Sequence, residues 1–135
     1  MPIPFASFVR MALSGLLLSA SLAHAEPQWV RLLQDEQSTY YLDTQSVSSK
    51  GAVKTFWSMR DYAQMQSTFD GKAFQSTLAK IELDCSDKEA LVLEITYYTG
   101  NKLSGDKVLK EKDFHNAQPV DSRSPIYRYA QRLCK

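Results

Sequence analysis

The chain has 135 residues, 44% of them hydrophobic, and sets 16 Lys and Arg against 15 Asp and Glu for a formal net charge of +1. That length allows one ordinary domain and argues against two separate cores. So small a charge gives no long-range field of the kind that draws a protein to nucleic acid, and 11% aromatic residues is too many for a disordered segment.

Residues 1–25 contain no acidic residue and one basic one, Arg10, followed by an apolar run from Met11 to Leu22 and by Ala23-His24-Ala25. A basic n-region, an apolar h-region and a small-x-small motif make a secretory signal peptide. The run is shorter than the roughly 20 residues a spanning helix needs. Cleavage is expected between Ala25 and Glu26, leaving a single domain over 26–135 that is exported to the periplasm or secreted. A lipid anchor would need a Cys where Glu26 stands, so none is expected. The processed chain then balances fifteen basic against fifteen acidic residues and keeps one histidine, His115.

From Trp29 onward, short β-branched and aromatic segments alternate with turn signals, the pattern of a meandering antiparallel sheet. A first strand is predicted near Trp29 to Gln34 and a second near Tyr40 to Asp43. Ser48-Ser49-Lys50-Gly51 reads as a turn. A long strand is predicted from about Val53 to Tyr62, and a loop holding Phe69-Asp70-Gly71-Lys72 leads to the next. That strand, Phe74 to Cys85, sets Ala79, Ile81, Leu83 and Cys85 on one face and Lys80, Glu82 and Asp84 on the other. Leu91, Leu93, Ile95 and Tyr97 then alternate against Val92, Glu94, Thr96 and Tyr98. A sixth strand, from about Lys107 to Phe114, carries the charges expected of an edge. At the C-terminus Ser124 and Pro125 offer an N-cap and a first helical position. Ile126, Tyr129, Ala130, Leu133 and Cys134 recur after them at helical spacing. The predicted fold is therefore α+β: about six antiparallel strands in a meander, with a C-terminal helix packed on one face.

Two cysteines, Cys85 and Cys134, admit one pairing, and an exported protein would form it. Two cysteines 49 positions apart without neighbouring Cys or His make no zinc cluster, so no metal and no cofactor is expected. The bond would staple the helix across the sheet and contribute on the order of 4 kcal/mol by the chain-entropy model.

Catalysis finds little support. His115 has no nucleophile pattern beside it, and an exposed histidine near the end of an edge strand is the common state. Glu82 and Asp84 share a strand face at a spacing of roughly 7 Å, which glycosidases use, but Lys80 on the same face favours a solvated charge ladder. A small hydrolase using Glu82 or Asp84 is the weaker alternative, and an enclosed pocket around them would be its signature. Binding features are more numerous. Arg128 and Arg132, with Lys135 and the preceding Arg123, make a basic stripe on the helix. Lys107 and Lys110 belong to a basic cluster with Lys102 and Lys112 that Asp106, Glu111 and Asp113 largely neutralise. Tyr40-Tyr41 and Tyr97-Tyr98 each place one ring on either side of the sheet. The outward members, Tyr41 and Tyr98, are candidate anchors for a protein partner. An exposed edge would also let the chain pair with a second copy as a homodimer or structural envelope component.

The order of these features resembles the surface-adhesin protein E family. The likeness runs through Trp29, Tyr40-Tyr41-Leu42-Asp43, Ser46-Val47, Phe56-Trp57 and the strand Ser76 to Cys85 with Lys80-Ile81-Glu82-Leu83-Asp84. It continues in Tyr97-Tyr98, Gly100, Pro119, Ser124 and Cys134. The resemblance implies a small bacterial envelope domain with an antiparallel sheet, a C-terminal helix and a disulfide. It also implies a non-enzymatic adhesin-like protein that binds a host extracellular-matrix or envelope protein.

Overall fold

A computed structural model describes residues 26–135; the segment read as a signal peptide lies outside them. The chain forms strands β1 (Trp29–Gln34), β2 (Ser38–Asp43), β3 (Ser48–Lys50), β4 (Val53–Ser67), β5 (Ala73–Asp84), β6 (Glu89–Tyr98), β7 (Lys107–Lys112) and β8 (Gln118–Pro119), followed by helix α1 (Ile126–Leu133). All pair antiparallel in one sheet, in the order β1-β2-β4-β5-β6-β7. That path is the predicted six-stranded meander. The two short additions, β3 on β4 and β8 on β6, bring the sheet to eight strands.

Three local expectations need correction. Ser48-Ser49-Lys50 is extended and pairs with Thr55, Lys54 and Val53, so the turn falls later, at Gly51 with φ of +60°. The sixth strand stops at Lys112, before Phe114, because Asp113 turns into the left-handed region at φ 64°. Leu91 and Leu93 do not share the face of Ile95. The β5–β6 register slips between Lys80 and Ile81, so Ile81 faces Val92 while Lys80 faces Glu94 and Leu93 is the extra residue. The bulge brings Ala90 and Val92 onto the face of Ile95 and Tyr97.

The core gathers on the helix side of the sheet: Leu42, Phe56, Ile81, Leu83, Ala90 and Tyr129 are buried together, with Leu32, Val47 and Ala79 packed around them. Burying a side chain the size of Leu or Phe stabilises by about 1.5–3 kcal/mol. An eight-residue helix is too short to persist alone, and three contacts hold it here. Tyr129 stacks on Phe56 at 5.3 Å between ring centroids, its hydroxyl donates to the Tyr41 carbonyl at 2.9 Å, and Cys134 is bonded to Cys85. The predicted disulfide staple is present. Ser124 does not cap the helix with its side chain: its hydroxyl donates to the Asp121 carbonyl, while its own carbonyl receives the Tyr127 N–H.

The opposite face is closed differently, by the turn between β6 and β7. Gly100 is required there, since a Cβ would run into Ser104. Lys102 and Leu103 both sit at positive φ, 49° and 63°, a conformation that costs L-residues energy and needs outside support. The buried Ser76 hydroxyl supplies it, donating to the Gly100 carbonyl at 2.6 Å and accepting the Leu103 N–H at 2.8 Å. Asp61 accepts from the Asn101 side chain and from the Lys102 N–H.

Candidate functional site

Between the sheet and the start of α1 lies a cleft of about 670 Å³, within the range of small-molecule sites, roughly 300–1,000 Å³. Strand register arranges its floor in rows. Arg60 pairs with Tyr40 and Thr77, and Thr77 with Tyr97, which makes one row of charge and hydroxyls. Two residues along, Ser58, Ala79 and Ile95 form the next row, and Ile81 and Val92 the one after, which Phe56 continues beneath the cleft in the core. Phe114, Pro125 and Ile126 close over the floor, and the exposed His115, Asn116 and Gln118 stand at the rim.

Arg60 is the one permanently charged side chain among the residues lining the cleft. Its guanidinium lies 4.8 Å from the Tyr40 ring centre and 4.5 Å from that of Tyr62, a geometry that favours a cation on aromatic faces. The Nε group donates to the Ser38 hydroxyl at 2.9 Å. Among the described residues no carboxylate is within ion-pair distance of it. Asp35 feels its charge, but the Ser38 and Gln37 N–H groups hold that carboxylate and are the main reason its pKa lies below the ordinary range. Phe74 meets Tyr62 and Tyr97 edge-on at 5.5 and 4.8 Å, completing an aromatic wall. Burial raises the pKa of Tyr62, with Arg60 opposing, and raises that of Tyr97, where the carboxylate of Glu111 beside the hydroxyl adds to it. Both stay protonated and neutral across the physiological range.

Arg60, Tyr62 and Phe74 carry this cleft, and none was singled out by sequence reasoning. The signal was a charged residue on the same strand face as Phe56: Phe56, Ser58, Arg60 and Tyr62 recur at period two.

The residues proposed from sequence as partner contacts fall into three separate places. Tyr41 is half-buried on β2, facing away from the helix, and its carbonyl anchors Tyr129. Tyr98 lies on the same outer face, with β4 and β5 intervening; Lys107 Nζ is 5.9 Å from its ring, and Lys110 pairs with Glu94 at 3.3 Å. Arg128 and Arg132 are exposed on the solvent side of α1. Trp57 is half-buried on the outer face with Lys80 Nζ 5.8 Å from its ring, outside the main core. Neither Glu82 nor Asp84 lines the cleft, and Asp84 holds the β5–β6 turn by accepting from the N–H groups of Ser86 and Asp87. Among the described residues no group of His, Cys, Asp and Glu could hold a metal ion, and no helix is long and apolar enough to cross a membrane.

Residues 29–135 match the family model described as surface-adhesin protein E. No curated protein matches at a significant level. Among solved structures, Haemophilus influenzae protein E superposes with a TM-score of 0.61 at 17% identity, over 78% of this chain and 83% of that one. Its crystal form II gives 0.63 at 16% identity, over 78% and 86%. The selenomethionine form gives 0.61 at 15% identity, over 81% and 92%. At such identity the structures establish a shared fold.

Proposed function

Because the chain belongs to the surface-adhesin protein E family, which is not an enzyme family, we propose that it is an exported, non-enzymatic adhesin-like protein that acts through protein contacts on its outer sheet face and loops. The match over 29–135 is the observation that carries the reading. The export step rests on the signal-peptide pattern of residues 1–25, and processing before Glu26 would be read directly by mass spectrometry of the protein recovered from cells. The outer face supports partner contact because Tyr98 and Lys107 present an aromatic ring and a cation side by side, a combination suited to an interface anchor. The β4–β5 turn adds Phe69, 87% exposed, and the end of β4 adds Met65, 55% exposed. The test is plate binding of the purified protein to extracellular-matrix proteins, with cross-linking and capture in cells. Saturable matrix binding supports the adhesin reading, and capture of envelope proteins alone contradicts it.

A second reading, pairing with a second copy, is favoured by one observation. β1 ends the sheet with its outward edge unpaired among the described residues. The register irregularity between Arg31 and Leu33 twists that edge and works against pairing. Sedimentation in dilute solution decides it: a dimer that β1 substitutions dissociate supports pairing, and a monomer removes it.

A further inference from the structure

The cleft has a polarity that contact with a partner protein on the outer face does not use. At one end stand Arg60, Thr77, Tyr40, Tyr62 and Tyr97; beyond them the floor is aliphatic along Ala79, Ile81, Val92 and Ile95, with the small Ser58 on the β4 side and the Tyr129 ring on the helix side. From the Thr77 row to the Ile81 row is four strand residues, roughly 13 Å of slot, roofed by Pro125 and Ile126. We propose that this cleft binds a single-chain amphiphile with an anionic head group, the head on Arg60 and the chain along Ala79, Ile95, Ile81 and Val92.

The head position follows from charge. A half-buried guanidinium without an acidic partner among the described residues is a site of unmatched positive charge in apolar surroundings. A carboxylate or phosphate there would complete charge-assisted hydrogen bonds of the kind Arg makes in pairs. Tyr62 and Tyr97, neutral over the physiological range, leave no competing anion on the lining itself. Asp35 feels the charge of Arg60 but is held by the Ser38 and Gln37 N–H groups, and Glu111, beside Tyr97, disfavours a head group displaced toward β6. The tail position follows from the bulge at Ile81, which turns Val92 into line with Ile95, so the β5–β6 half of the slot is aliphatic over that length. A cation-headed or long uncharged ligand would leave Arg60 unmatched. A short anion would forgo about 0.8 kcal/mol for each methylene not buried.

The proposal stands apart from the adhesin reading, and its test is a calorimetric titration of the purified protein with probes kept below their micelle concentrations. Dodecanoate and dodecyl phosphate are expected to bind saturably at one site, and the tighter of the two identifies the head group. Dodecyltrimethylammonium and butyrate are expected to bind at least tenfold more weakly. Arg60→Gln should weaken dodecanoate at least tenfold, Arg60→Lys should fall between Arg60→Gln and the unaltered protein because it keeps the charge but not the paired hydrogen bonds, and Ala79→Phe should block the chain. Equal binding of anionic and cationic dodecyl probes, equal binding of butyrate, or no saturable binding to the unaltered protein would overturn the proposal. The series of probes on the unaltered protein remains decisive even where Arg60→Gln fails to fold, and an Arg60→Gln protein that folds and binds as before would overturn the proposal too.

Discussion

The two faces of the sheet are made by the same strands and are closed by opposite means. The helix face is shut by burial and a covalent staple: Tyr129 stacked on Phe56, and Cys134 bonded to Cys85. The outer face is shut by hydrogen bonds to a strained turn, with Ser76 and Asp61 as the clamps. Burial is non-directional and tolerates a gap, so the helix face can hold an aromatic cleft beside its core. A hydrogen-bonded turn is directional, and each bond fixes one backbone group.

If that contrast is right, changes on the helix face should cost the most stability and changes on the outer face less, each loosening its own face first. The largest effects are expected from Tyr129→Ala, about 3–5 kcal/mol by denaturant unfolding, as for other large buried aromatics, and from Cys85→Ser, about 4 kcal/mol with a free thiol appearing at Cys134. Trp57→Ala, removing a half-buried ring on the outer face, should cost about 2 kcal/mol, near half of what a fully buried Trp costs. Ser76→Ala should cost about 1–3 kcal/mol by leaving the Leu103 N–H and Gly100 carbonyl without their partner. Hydrogen exchange should show the loss confined to residues 99–106. A Ser76→Ala protein that loosened the helix equally would merge the two faces into one unit.

The smallest effect separates the faces by pH. Burial raises the Tyr129 pKa above its ordinary 10.0. For a group whose folded pKa is raised, the stabilisation is complete below the unfolded value and is lost as pH rises toward the folded one. Stability should therefore fall above about pH 10, and Tyr129→Phe, itself costing about 1 kcal/mol for the lost hydrogen bond, should flatten that decline. An unchanged alkaline slope in Tyr129→Phe would assign the loss to Tyr62 and Tyr97 instead.

Most of the sheet was legible because β5 alternates cleanly from Ala79 to Cys85 and because two cysteines admit one bond. What sequence alone concealed depends on partners distant along the chain. Ser48-Ser49-Lys50 has turn-like composition and is extended only because Thr55, Lys54 and Val53 pair with it. The bulge at Ile81 has no glycine to mark it, and it reverses which of Leu91, Val92 and Leu93 faces the core. The cleft was hidden for a related reason. A charged residue at Arg60 reads as surface, and only the rings of Tyr40 and Tyr62, from the neighbouring strand and two positions along its own, make the site habitable for it. The candidate contacts Tyr98 and Lys107 are neighbours across β6 and β7, as their turn suggests, whereas Arg128 and Arg132 lie on the helix, in another layer.

The most direct test of the two-closure account is amide hydrogen exchange of the purified protein before and after mild reduction of the Cys85–Cys134 bond. The account predicts that reduction lowers protection in Ile126–Leu133 first, while the β4–β5 pairing and the Leu103 N–H held by Ser76 keep theirs. Protection lost together on both faces, or a helix unchanged by reduction, would contradict it.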